Sequence, residues 1–160
     1  MSQVLQNLED NLKRQVALYQ QLNDLEKDKQ KALVENNLKE IETITFKEEK
    51  LVFEANHLER ERLLWAKQIG SELGKRAEDL TLAELAEHYP VLEGVRKDLD
   101  DVVDHLQNIH RTNTQLLQQA IKIVDLTVGM LTQHEKSTYT HPSQQESQGI
   151  GKLHLLDRRI

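Results

Sequence analysis

Cysteine is absent from the 160 residues, which excludes a disulfide framework and any thiolate metal site and fits a reducing compartment. Proline occurs twice, glycine six times, and aromatic residues make up 4% of the chain. So few breakers and so few aromatics argue against a sheet and for long helices. No apolar run approaches the roughly 20 residues of a membrane span. The opening MSQVLQNLED is acidic where a secretory leader needs a basic stretch, position 2 is Ser rather than the Gly of a myristoylation signal, and DRRI is no prenylation box. The expectation is a cytoplasmic protein without leader, anchor or span. The net charge of -6 comes with no block of Lys and Arg along the helices, so nucleic acid and anionic membrane are poor partners and another protein is the expected one.

What is present is helical periodicity. Leu5, Leu8, Leu12, Leu18, Tyr19, Leu22, Leu25, Ala32 and Leu33 recur without Pro or Gly between them, predicting a helix over about 2–35. Asn36 and Asn37 break the pattern, and Asn37-Leu38-Lys39-Glu40 has the shape of a capping box, so a tight hairpin into a second helix over about 38–69 is expected. That helix keeps a 3-4 spacing through Ile41, Ile44, Glu48, Leu51, Ala55, Leu58, Arg62, Trp65 and Ile69, with Gly70 and Gly74 expected to end it. A second capping box, Thr81-Leu82-Ala83-Glu84, starts a short helix over 82–88 that His88-Tyr89-Pro90 stops. The strongest stripe follows: Leu92, Val95, Leu99, Val102, Leu106, Ile109, Asn113, Leu116, Ala120, Ile123, Thr127 and Met130, for a helix over about 91–135. The fold class is all-α: an elongated antiparallel bundle of three long helices, a rod over 1–136 with a tail over 137–160.

Candidates for chemistry are sparse. Glu54 and His57 have Glu-x-x-His spacing, but a di-iron bundle needs a second such motif and two further glutamates, which the sequence does not offer. A solvated pair is the better reading. Asp101 with His105, and His110 with neighbouring acids, read as surface pairings. Glu48 and Arg62 face the seam, where pairing with opposite charges is the ordinary outcome. Trp65, the one tryptophan, reads as a plug where the second helix ends. With no nucleophile elbow, phosphate loop or metal motif, no enzymatic site and no cofactor are expected.

Two features stand apart. Toward its end the third helix widens its apolar surface with Ile121, Val124, Leu126, Val128 and Leu131. Val124 and Leu131 flank the seam and are expected to be buried by partner helices; Ile121, Leu126 and Val128 are expected to form an exposed patch. After Lys136 the composition turns to Ser, Thr, Gln, Gly and Pro, too polar to support a core. Yet this stretch holds Tyr139 and the apolar Leu153, Leu155 and Leu156, which gain nothing in water unless they dock. A cover for an empty apolar strip is the expected use.

Leu5-x-x-Leu8, Tyr19-x-x-Leu22, the lysine-rich approach to Ala32-Leu33, the Asn36-Asn37-Leu38 hairpin, the charge block Lys47-Glu48-Glu49-Lys50 and Arg60 to Leu64 together resemble the FlgN family of flagellar type III export chaperones. The resemblance implies a chaperone that binds the hook-associated proteins of the hook-filament junction, FlgK and FlgL, shields their terminal helices and delivers them to the export gate. It implies a client helix on Ile121, Val124, Leu126, Val128 and Leu131, and gate docking through Tyr139. Here Thr140-His141-Pro142 follows that tyrosine where the family often has Gly. A monomer or weak dimer is expected; the rival is a self-associating coiled-coil scaffold.

Overall fold

The computed structural model describes residues 2–132, and among these there is no strand. Four helices run Ser2–Val34 (α1), Leu38–Leu73 (α2), Leu82–His88 (α3) and Glu93–Leu131 (α4), with 3-10 turns at Ala77–Asp79 and Pro90–Leu92. Helix α1 is the central element: both α2 and α4 pack along it, while α2 and α4 barely meet each other. That position explains why α1 buries polar as well as apolar side chains, namely Asn11, Gln15 and Glu26 beside Leu8, Leu12, Leu18, Tyr19 and Leu22. A helix covered on two sides needs a wider buried surface than its apolar stripe supplies. Its extra polar members then need partners. Asn11 donates to the Leu58 carbonyl at 3.0 Å and to Glu61 at 3.2 Å, and Gln15 donates to Asn11 at 2.8 Å.

The hairpin between α1 and α2 works through its two asparagines. Asn36 takes a left-handed φ of 53°, a conformation Asn tolerates. The amides of Asn36 and Asn37 then close back on the carbonyls of Leu33 and Ala32, at 3.3 and 2.9 Å. Asn37 also caps α2 by accepting from the Glu40 amide at 3.2 Å. The expected reciprocal bond from Asn37 N–H to the Glu40 side chain does not form, because the Ala32 carbonyl already holds that donor. At Thr81 nothing competes, and both bonds of the capping box are made, each at 3.2 Å.

Gly70 does not end α2, which continues to Leu73 and closes on Gly74 at φ 67°. Gly70 instead allows close approach. A Cβ there would sit 2.6 Å from the Lys75 carbonyl oxygen and 3.1 Å from Leu80. The connector thereby folds tightly against the helix, and Leu80, Leu82, Leu85, Ala86 and Leu92 enter the same core as Leu8, Leu12, Ile69 and Val95. Trp65 is partly buried against that core.

Candidate functional site

Helix α4 divides at Asn113. Before it, Val95, Leu99, Val102, Leu106 and Asn113 are buried. Beyond it, every residue from Ile121 to Thr132 is exposed. Exposure reaches 59% at Val124, 75% at Met130 and 79% at Leu131. Ile121, Leu126 and Val128 are exposed as expected, but Val124 and Leu131 are not buried by partner helices. The seam positions Ile123 and Met130 are open too. The physical reason is length: α4 continues for 18 residues past Asn113, whereas α1 ends at Val34, eight residues past the Glu26 to which Asn113 is bonded. The α4 helix ends at Leu131 with Thr132 as its cap. Tyr139, Leu153, Leu155 and Leu156 lie outside the described residues.

A polar cluster sits at the division. Asn113 donates to both the Glu26 carbonyl and its carboxylate, at 2.7 and 2.6 Å. Lys29 Nζ lies 2.6 Å from Glu48 and 3.5 Å from Glu26, and His110 Nδ1 lies 3.7 Å from Glu26. Two glutamates and one asparagine, each at most 3% exposed, thus meet one partly buried lysine. Burial and a hydrogen bond with Glu26 push the Glu48 carboxyl up to about 7. Burial alone would raise Glu26 as well, but His110, Glu48, Lys29 and Asn113 override it and hold that carboxyl at about 2. The surroundings thus pull the two carboxyls in opposite directions, so that Glu48 holds a proton more readily than Glu26. Seam pairing of Glu48 was legible in the sequence. The identity of Lys29, Glu26 and His110 as its neighbours was not, because Glu26 and Lys29 sit among the alternating charges of Asp24 to Lys31.

Above this cluster α2 and α4 leave a groove of about 530 Å³, walled by Ile41, Val52 and Phe53 on one side and Thr114 and Leu117 on the other, with Leu33 of α1 at its end. Phe53 is 73% exposed. No spacing rule marked the groove; an exposed Phe off the α2 seam was the available signal.

The remaining candidates, Arg62 apart, stay on the surface. Glu54 and His57 are exposed, and His57 lies 3.6 Å from Glu61, not against a second motif. Among the described residues no group of acids and histidines is placed to hold a metal. His105 lies 2.7 Å from the Asp101 backbone carbonyl rather than its carboxylate. Arg62, buried in the seam, is paired with Glu59 one turn away. No helix among the described residues is long and apolar enough to cross a membrane.

A protein of Bacillus subtilis (strain 168) named uncharacterized protein YvyG is 25% identical over 155 residues, covering 94% of this chain and 95% of its own. No solved structure matches the chain. The sequence profile described as FlgN protein matches residues 1–147, which takes in every described residue. The chain belongs to the FlgN family, which groups flagellar export chaperones.

Proposed function

We propose that this protein is a non-enzymatic export chaperone that holds the C-terminal segments of hook-filament junction proteins of the FlgK and FlgL type in the cytoplasm and passes them to the flagellar export gate. Family membership supports hook-associated proteins as clients in general. The observation that carries the rest is the free end of α4, where Ile121, Val124, Leu126, Val128 and Leu131 are all exposed on a helix that has outrun its neighbours. An amphipathic client helix covers such a surface through anchors at helical spacing. The working shape is an elongated rod in which consecutive long helices run in opposite directions, as the Asn11–Leu58 and Lys29–Glu48 contacts support. Release follows from competition between client and gate affinities, with gate docking through Tyr139.

Isothermal titration of the full chain with the C-terminal segments of both junction proteins tests this. Saturable one-to-one binding is expected, weakened at least tenfold by Val124→Asp with Leu131→Asp. No binding to either segment would sink the proposal. A second reading draws on the same helix: Ile123 and Met130 keep the 3-4 stripe while exposed, as a self-associating scaffold requires. A stable oligomer in light scattering, lost on substituting those two residues, would favour it over a monomer or weak dimer.

A further inference from the structure

We propose that the groove between α2 and α4 is a docking site for this chain's own segment Lys152–Ile160, whose apolar residues stand at the helical spacing such a groove takes. This stands independently of how clients bind.

The groove lacks a cover. Helices α2 and α4 both lean on α1 without closing on each other, leaving Phe53 and Leu117 exposed on opposite walls of the same 530 Å³ space. An amphipathic helix laid between them would complete a four-helix layer and take those side chains out of water.

The segment has the matching pattern. Leu153, Leu156 and Ile160 recur at 3-4 spacing, so on a helix they share one face. Lys152 and Arg159 stand seven apart on the flank of that face, which suits a groove whose α2 wall carries exposed Glu49. On the floor Glu26 is already balanced by Lys29, so Glu49 is the acid left for the segment to pair with.

The tether has the right length. Along α4 and its cap, the 18 residue steps from Thr114 to Thr132 span about 27 Å. The 21 residue steps from Thr132 to Leu153 reach about 70 Å fully extended. A random coil of that length has a root-mean-square span of about 25 Å. A linker whose relaxed span equals the distance to the site gives the highest effective concentration, in the millimolar range for short flexible tethers.

The absence of native cysteine makes the test direct. A nitroxide is attached to the full chain at His154→Cys and amide relaxation is read by NMR. Strong broadening is expected at Thr45, Asn56 and Thr114, which border the groove, and none at Gln6. Leu153→Asp with Leu156→Asp in the labelled chain should abolish it. Any of three results overturns the proposal. The first is no broadening in the groove. The second is broadening that appears on an isotope-labelled, nitroxide-free chain mixed with a nitroxide-bearing one, which makes a second copy the occupant. The third is broadening confined to residues 121–131, which places the segment on the free end of α4. None of these depends on whether junction-protein segments bind, so failure here and failure of the chaperone reading are separable.

Discussion

The two halves of α4 carry the same apolar stripe and have opposite fates. Val95, Leu99, Val102 and Leu106 are buried against the rest of the protein, whereas Ile123 and Met130, in the same register, face solvent. A 3-4 repeat states which face of a helix is apolar, not whether a neighbour is long enough to reach it. The stripe outlasts α1, and the surplus is surface that another molecule can use.

The largest test of that contrast is truncation on either side of the division. Leu106→Ala should cost about 2–5 kcal/mol by loss of transfer energy and a cavity, while Ile123→Ala should stay within about 0.5 kcal/mol. Chemical denaturation followed by circular dichroism measures both; equal losses would mean that the free end is packed in solution. Next, Asn113→Ala should cost about 1–3 kcal/mol by leaving the buried Glu26 groups short of donors. Hydrogen exchange should then show opening that begins near Ile109 rather than beyond Leu117.

Glycines sharpen the comparison with smaller effects of opposite sign. Gly70→Ala drives a methyl toward the Lys75 carbonyl and should destabilise by about 1–3 kcal/mol. Gly129→Ala, with nothing within 4 Å of its Cβ, should stabilise the local helix by up to about 1 kcal/mol. Thermal melts of the two variants should move in opposite directions.

The smallest effect concerns pH at the junction of the halves. Glu48 is raised from its ordinary 4.5 to about 7 in the folded chain. Between those values the unfolded chain gives up a proton that the folded chain keeps, so this residue's contribution falls as pH rises through that window. Glu26 is lowered to about 2, and its contribution is present above 4.5 and lost as pH falls toward 2. Glu48→Gln should therefore flatten the decline in melting temperature between pH 4.5 and 7 and leave the acid limb in place. An unchanged slope would show that Glu48 is ionised throughout.

Much of this architecture is written locally. The hairpin follows from two asparagines that suit a left-handed turn and a cap, the short helix from Thr81 and Glu84, and the long helices from stripes that no proline interrupts. These depend on residues within a few positions of one another, which is why they could be read from the sequence. So could the widening of apolar surface from Ile121 to Leu131.

Other outcomes required the assembled chain. Gly70 looks like a helix stop until the connector is seen pressed against it. Asn11, Gln15 and Glu26 look like solvent residues until α1 is found with a neighbour on each side. Val124 and Leu131 look like flanks of a buried seam until α1 ends short of them. The sequence by itself determined where helices form, how they are capped and which face of each is apolar, because backbone and nearest-neighbour chemistry decide those. Only the tertiary structure decided which stretch of each apolar face is covered, where Glu26, Glu48, Lys29 and Asn113 meet, and where a groove is left open. Those depend on relative helix length and placement, set by contacts between residues as far apart as Glu26 and Asn113.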